Sequence, residues 1–130
     1  EKPIYLDVAQ FDVTGCFDAV FCANVMHIMS ADLIPSMMAG VASLLDDGGL
    51  FILYGPYKYK GAFTTESNAE FDEWLKSRDV LSGIRDIELV QDKARTRLLE
   101  LIEDLPMPAN NRLLVFRKLS ENDHVRDSGF

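Results

Sequence analysis

The spacing of apolar residues changes period along the chain and predicts a βαβ unit. Residues 17–23 are almost continuously apolar, which is typical of a strand buried on both faces of a parallel sheet. After Ser30, a candidate N-cap, apolar residues recur every three or four positions over residues 33–45 and predict an amphipathic helix. Residues 50–54 predict a second buried strand, so the unit should form a right-handed crossover.

The second half of the chain predicts two further helices. Ser67 and Glu70 have the spacing of a capping box, so a helix is expected to begin at Ser67. Its apolar stripe would contain Phe71, Trp74 and Leu75. Residues 86–97 repeat apolar side chains at helical spacing, with Asp86 as the cap.

The two ends of the chain complete the predicted organisation. Residues 4–8 predict a short strand. Residues 98–105 could serve a helix, but Pro-Met-Pro at 106–108 and the β-rich residues 112–119 favour an antiparallel hairpin that closes the sheet. Residues 120–130 are polar and patternless, so they are predicted to form a disordered tail. The chain of 130 residues therefore reads as one α/β domain over residues 1–119.

Charge and composition limit the partners that the protein is expected to bind and the setting in which it acts. Thirteen basic and 21 acidic residues give a net charge of −8, which would repel a nucleic-acid backbone overall. No apolar stretch approaches the roughly 20 residues of a membrane-spanning helix, and no secretory signal is visible. Cys16 and Cys22 do not form a disulfide framework. We therefore expect a reduced, intracellular setting, either cytoplasmic or nuclear.

Candidate chemistry lies where the two parallel strands end, because ligands of open parallel sheets bind beyond the carboxyl ends of the strands. The segments at these ends are residues 24–27 and 55–58. A metal site is not expected, since His27 and His124 are the only histidines and no cysteine pair has ligand spacing. The chain also lacks a Gly-x-Ser-x-Gly elbow, a phosphate loop and a Gly-x-Gly-x-x-Gly fingerprint.

Several segments together carry a family resemblance. The strand, helix and strand over residues 17–54 resemble the fourth strand, crossover helix and fifth strand of class I S-adenosylmethionine-dependent methyltransferases. More specific are the segments Tyr-Gly-Pro-Tyr at 54–57, Gly-Ile-Arg-Asp at 83–86 and Met-Pro-Ala-Asn-Asn at 107–111. With these, residues 4–118 closely resemble the methyltransferase-like 26 family, also called domain of unknown function 938.

The resemblance implies a Rossmann-like methyltransferase sheet, mostly parallel, with an antiparallel C-terminal hairpin. In such enzymes a glycine-rich turn after the first strand and an acid after the second hold S-adenosylmethionine. This chain begins beyond both, so the expected fold is a truncated sheet that runs from the third or fourth strand to the seventh. We expect the C-terminal portion of a methyltransferase of unknown substrate, inactive alone, whose binding of S-adenosylmethionine is weak or absent.

The resemblance also assigns cofactor contacts, each with a structural alternative. Asp7 matches the acid that contacts the adenine amino group, but it could simply cap its loop. Asn24 and Val25 match the turn that lies along the cofactor, although the Asn24 side chain could instead hold the turn itself.

Candidate catalytic and substrate-binding residues follow from the strand ends. His27 could act as a base, or could be a packed histidine at the helix entrance. Tyr54 and Lys58 lie where a substrate would bind, although Tyr54 could equally belong to the core. Asn110 and Asn111 could grip a substrate or could serve the hairpin turn.

A second hypothesis belongs to another class. Without the first and second strands, residues 17–23 would form a sheet edge patterned for burial, and such an edge invites pairing with another chain. The alternative is therefore a non-catalytic interaction module, with self-association through the exposed edge.

Overall fold

Two sheets and three helices make up residues 16–120, the part of the chain that the computed structural model describes. The strands are β1 (Phe17–Ala23), β2 (Leu45–Gly55), β3 (Tyr57–Tyr59), β4 (Ala62–Phe63), β5 (Arg85–Asp86), β6 (Leu99–Met107) and β7 (Asn111–Lys118). The helices are α1 (Ile34–Leu44), α2 (Glu66–Arg78) and α3 (Ile87–Arg95). Short 3-10 turns precede α1 and link β6 to β7. The predicted strand at residues 4–8 and nearly all of the predicted tail lie outside the described residues.

The predicted βαβ unit is present. β1 and β2 pair in parallel, with Phe21 opposite Ile52, and α1 connects them. Ser30 caps the 3-10 turn, because its hydroxyl accepts a hydrogen bond from the Asp32 amide, and α1 begins four residues later at Ile34. The apolar spacing of residues 33–45 therefore covers both the turn and the helix.

The expectation of a mostly parallel sheet was wrong. The four-stranded sheet has the order β1-β2-β7-β6, in which only β1 and β2 are parallel. β7 pairs antiparallel with both β2 and β6. The reason lies in connectivity: α1 is the only helical crossover between neighbouring strands of this sheet in residues 16–120, and strands joined by a short hairpin run antiparallel. The predicted C-terminal hairpin is confirmed.

One face of the sheet packs against α1 and α3 and forms the core. Alternate residues of β2 and β7 point into it, with Phe51 opposite Phe116 and Leu53 opposite Leu114. The helices contribute fully buried side chains, among them Met37, Met38, Val41, Val90 and Ala94. This packing fixes the strand ends and, with them, the loops that follow.

The start of α2 differs from the sequence prediction. Thr65, and not Ser67, is the N-cap: its hydroxyl accepts a hydrogen bond from the amide of Asn68. The face of α2 that is buried contains Asn68, Asp72 and Leu75. Trp74, expected in an apolar stripe, is 53% exposed. The helix therefore places two polar side chains toward the rest of the protein.

A second sheet of very short strands has the order β4-β3-β5 and was not predicted. Asp86 occupies the N-cap position of α3, as expected, but its carboxylate does not cap that helix. It accepts a hydrogen bond from the amide of Gly61, in the turn between β3 and β4. Gly61 has a φ of +77°, a conformation that glycine adopts without strain.

No helix in the described range is both long and apolar enough to cross a membrane. Cys16 and Cys22 are both unpaired, the first exposed and the second half-buried.

Lys118 anchors the end of α1 and provides a test of this fold. Its ammonium donates to the carbonyls of Ala42 and Leu45 at 2.6 and 2.8 Å, where a helix end leaves acceptors free. Lys118→Met should lower the free energy of unfolding by about 1.5–3 kcal/mol, because two charged hydrogen bonds are lost. Urea denaturation measures the change. Lys93→Met on α3 is the control and should cost under about 0.5 kcal/mol, since Lys93 pairs only with exposed Asp92. Equal losses would contradict the anchoring role.

Candidate functional site

A cleft of about 340 Å³ opens at the end of the sheet where β1 and β2 finish. Its walls come from the loops after these strands, from the first turns of α2 and from the β6–β7 turn. The lining residues are Asn24, His27, Pro56, Ser67, Asn68, Phe71, Ala109, Asn110 and Asn111. Four of the eight predicted site residues therefore converge here, namely Asn24, His27, Asn110 and Asn111.

Asn24 turns the chain sharply at the end of β1. Its φ of 57° lies in the left-handed region, which asparagine tolerates better than most residues. Its amide donates to the carbonyl of Tyr54 at 2.8 Å, so the β1–β2 pairing continues to the edge of the cleft. The Asn24 side chain makes no hydrogen bond within residues 16–120, which leaves its amide group available at the cleft. Val25, next in the chain, is half-buried and packs against the core.

His27 is the most enclosed titratable group of the cleft. The residue is 5% exposed, and its Nδ1 is sealed from solvent with no hydrogen-bond partner in the described part of the chain. The ring meets Phe71 edge to face, with centroids 5.5 Å apart. Nε2 also makes no hydrogen bond to a residue in the described range, so a ligand in the cleft would reach the imidazole through Nε2.

The loop that carries His27 is held in place by hydrogen bonds to four of its consecutive backbone carbonyls, those of residues 26–29. The Arg85 guanidinium donates to the carbonyls of Met26 and Met29, at 3.3 and 2.7 Å. Between them, the Gly83 amide donates to the His27 carbonyl at 2.9 Å, and the Ser82 hydroxyl donates to the carbonyl of residue 28 at 3.1 Å. We call residues 82–85 the carbonyl clamp. It fixes the backbone on both sides of His27.

Asp72 connects the carbonyl clamp to α2. Its carboxylate accepts a hydrogen bond from the Ile84 amide at 2.8 Å and forms an ion pair with Lys76 at 2.9 Å. A Cβ on Gly83 would lie 3.1 Å from the Asp72 carboxylate, so the chain passes very close to the helix here. These contacts therefore link α2 to the clamp that holds the loop of His27.

The environment of His27 lowers its pKa. Burial is the larger cause, because desolvation disfavours the charged imidazolium, and the nearby positive charge of Arg85 acts in the same direction. The neutral imidazole, which can accept a proton, is therefore favoured in the folded protein.

The β6–β7 turn forms the opposite wall and is tied to α2. Ala109 and Asn110 both have left-handed backbone conformations, with φ of 61° and 62°. The Asn110 side-chain amide donates to the Ser67 hydroxyl at 3.1 Å. The Asn68 side-chain amide donates to the backbone carbonyl of Asn110 at 3.4 Å. Ala109 and Asn110 thus form the turn and also line the cleft.

Tyr54 borders this wall from β2. It is half-buried, and its hydroxyl accepts a hydrogen bond from the Asn111 side-chain amide at 3.2 Å. Asn111 also donates to the carbonyl of Pro108, so it holds the turn while it lines the cleft. Asn111 therefore serves the turn, and its substrate-binding role stays a prediction.

One predicted site residue, Lys58, is placed elsewhere. Lys58 is half-buried on β3, with its ammonium 5.3 Å from the centroid of the Phe63 ring, and it does not line the cleft. Asp7 lies outside the described residues. Sequence reasoning missed Asn68 and Phe71 as lining residues and Arg85 as a support, whereas Pro56 lies within the predicted segment 55–58. Two polar residues four apart on a helix, Asn68 and Asp72, were the available signal, because they mark a polar helix face that packs inward.

Within residues 16–120, no cluster of three or more His, Cys, Asp or Glu side chains could hold a metal ion.

Residues 1–118 match the family described as "Protein of unknown function (DUF938)". The chain belongs to this family. As a DUF938 protein, it shares its fold with solved methyltransferases of low sequence identity. An O-methyltransferase family protein from Burkholderia thailandensis has a TM-score of 0.73 at 17% identity, over 88% of this chain and 34% of that one.

Two further structures give the same fold. PigF, solved with SAH, has a TM-score of 0.71 at 15% identity, over 87% of this chain and 34% of its own. An O-methyltransferase family 2 protein from Planctomyces limnophilus, in complex with apigenin, has a TM-score of 0.70 at 18% identity, over 78% and 31%. The DUF938 chain therefore has a methyltransferase-like fold, and it spans about a third of the length of these solved chains.

The lowered pKa of His27 gives a pH test. Below about pH 6.5 the unfolded chain protonates this histidine before the folded protein does, so stability should fall as the pH decreases. In His27→Gln, the loss of unfolding free energy between about pH 7.5 and about pH 5.5 should be smaller by up to about 1 kcal/mol. Urea denaturation at both pH values measures it. All other titratable groups are common to both proteins, so an unchanged pH dependence would show that His27 titrates normally.

Proposed function

We propose that this chain forms the acceptor side of an S-adenosylmethionine-dependent methyltransferase site. The observation that carries the proposal is His27: a buried imidazole without a partner in residues 16–120, at the strand ends of a methyltransferase-like sheet. Ligands bind at this end of open parallel sheets. The neighbour PigF was solved with SAH, the product that methyl transfer leaves.

Methyl transfer requires the protein to position the two reactants and to accept a proton. When bound, S-adenosylmethionine supplies an electrophilic methyl group. In the proposed step, an O–H or N–H of the acceptor gives its proton to Nε2 of His27 while the oxygen or nitrogen bonds to the methyl carbon. The S–C bond breaks and its electron pair stays on sulfur. Holding the reacting groups in a fixed geometry lowers much of the barrier to methyl transfer. The carbonyl clamp fixes the position of His27.

The described residues fit one edge of the cofactor. Asn24 lines the cleft and offers a side-chain amide that no described residue uses, and Val25, the next residue, remains a proposed backbone contact. Asp7 remains the proposed partner of the adenine amino group. Tyr54, Asn110 and Asn111 stand on the acceptor side. Lys58 would reach an acceptor only if its contact with Phe63 were given up.

We further propose that the chain is the C-terminal portion of a methyltransferase-like 26 protein, inactive alone and acting inside the cell. The sequence contains no Gly-x-Gly, although such cofactors need a glycine turn for close backbone approach. The chain matches about a third of the solved chains, which is consistent with a site completed by other residues. Two unpaired cysteines fit a reducing compartment.

Two substitutions separate cofactor binding from proton transfer in the longest natural protein that contains this chain. Asp7→Ala should weaken S-adenosylhomocysteine binding by about 1.5–3 kcal/mol, because a charge-assisted hydrogen bond is lost. His27→Gln should leave that affinity unchanged and slow transfer of a tritiated methyl group by about 10²–10⁴-fold. Calorimetric titration and scintillation counting are the measurements.

The 130-residue chain alone is the control in the same titration and should bind weakly or not at all. A low-micromolar dissociation constant for the chain alone would contradict its incompleteness. If the longest form fails to bind S-adenosylhomocysteine, the methyltransferase proposal itself fails.

A second candidate function is a non-catalytic interaction module, and the edge strand β1 favours it. Among the described residues, β1 pairs with β2 on one side only. Phe21 at its centre is 61% exposed, with Ala19 and Ala23 exposed on the same face. An apolar edge of this kind pairs readily with another chain.

The edge hypothesis predicts self-association of the chain at tens of micromolar. Phe21→Lys should reduce the average mass measured by light scattering, because charge on an edge strand opposes pairing. Ile28→Lys is the matched control: Ile28 is 54% exposed but lies in the loop after β1, so its replacement should have little effect. A stable monomer in the unsubstituted chain would argue against the module.

A further inference from the structure

Two carboxamides of the cleft have their orientation fixed by backbone carbonyls. The nitrogen of Asn68 donates to the carbonyl of Asn110, and the nitrogen of Asn111 donates to the carbonyl of Pro108. A carbonyl oxygen can only accept, so each contact must be made by the NH₂ group. Second partners, the Thr64 and Tyr54 hydroxyls, use the remaining donor capacity at 3.2 Å each.

The oxygens of these carboxamides are consequently left for a ligand. In residues 16–120, no donor bonds to Oδ1 of Asn68 or of Asn111, and Nε2 of His27 is also unengaged. All three residues line the cleft, and Asn68 is only 5% exposed. Because the donors of Asn68 and Asn111 are engaged and their oxygens are free, these two side chains offer acceptors to a ligand, whereas the unengaged carboxamide of Asn24 offers both a donor and an acceptor.

The cleft is also free of charge. None of its nine lining residues is Asp, Glu, Lys or Arg, although the protein has a net charge of −8. Two charges beside it are already engaged: Arg85 binds backbone carbonyls and Asp72 pairs with Lys76. An ion placed among amides and a phenyl ring would lose its hydration without gaining a counter-charge. Phe71 and Pro56 add flat apolar walls, which suit a planar ligand.

We propose that the methyl acceptor of this cleft is an uncharged planar compound with at least two O–H or N–H donors. One donor would face Nε2 of His27 and become the methylated group. A second donor would meet the free oxygen of Asn68 or of Asn111, and the ring would lie beside Phe71. The volume of about 340 Å³ suits a small ring compound. This inference rests on the proposed function, whose acceptor it specifies.

Three ring compounds with the same substitution pattern, in which each added methyl group removes one donor, test the proposal. Resorcinol has two hydroxyl donors, 3-methoxyphenol has one and 1,3-dimethoxybenzene has none. Titrated into the ¹⁵N-labelled chain, they should shift the backbone amides of Asn68, Phe71 and Asn110. Affinity should fall about fivefold for each donor removed, the value of an ordinary hydrogen bond. 1,3-Diaminobenzene replaces O–H by N–H and shows which donor the cleft prefers.

A second series tests the charge. 3,5-Dihydroxybenzyl alcohol is neutral, whereas 3,5-dihydroxybenzoate and 3,5-dihydroxybenzylamine carry opposite charges near neutral pH. The neutral compound should bind most tightly. Asn111→Ala should reduce the difference between resorcinol and 3-methoxyphenol. Thr96→Ala is the control, because this hydroxyl donates only to the Lys93 carbonyl at the end of α3.

The proposal is overturned if 1,3-dimethoxybenzene binds as tightly as resorcinol, if either ion binds more tightly than the alcohol, or if no cleft amide shifts at millimolar ligand. These outcomes concern the acceptor alone, since no cofactor or turnover is involved. Conversely, if S-adenosylhomocysteine fails to bind the longest form while the donor series behaves as expected, the methyltransferase proposal fails and the cleft remains a site for neutral donors.

Discussion

The carbonyl clamp is the interaction on which the site depends. Four successive carbonyls after β1 point away from any regular ladder, and three of the four residues that carry them are buried. Each would cost about 1–3 kcal/mol if left without a donor. Arg85 satisfies two of them with one rigid guanidinium, a geometry that a lysine could not reproduce. Burial is the larger cause of the lowered pKa of His27, and the Arg85 cation adds to it, so the side chain that shapes the loop also favours the neutral imidazole.

The β1–α1–β2 unit could be predicted because its signals are local. A continuous apolar run reflects a strand that is buried on both faces. A spacing of three or four residues reflects a helix that is buried on one face. The antiparallel majority of the sheet was missed, since strand order depends on where β7 inserts, and no pattern in residues 111–118 reveals that β2 is its partner. The strands β3, β4 and β5 have two or three residues each, too few for any period. Thr65 and Ser67 both satisfy cap chemistry, and only the tertiary position of α2 chooses between them.

The candidate site was predicted in part for a similar reason. Asn24 and His27 follow a buried strand, and strand ends of parallel pairs meet at one edge, so their convergence follows from topology. Asn68 and Phe71 reach the same edge from a helix whose placement depends on Asp72 and the clamp, contacts that link distant parts of the chain. Lys58 comes three residues after the end of β2, the strand that contains Tyr54. It belongs to β3, which places it in the second sheet beside Phe63.

The pairing of β2 with β7 also governs how the chain can fold. The β1–α1–β2 unit lies within residues 17–55, and the β6–β7 hairpin closes through a turn of three residues, so each can form from nearby contacts. Their junction, in which Leu53 meets Leu114, joins segments that are far apart in sequence. Long-range closure is slow, because loop entropy is lost before the contact is gained. We therefore expect an early state with two preformed halves whose apolar strand edges stay open until they dock, which makes refolding yield sensitive to protein concentration.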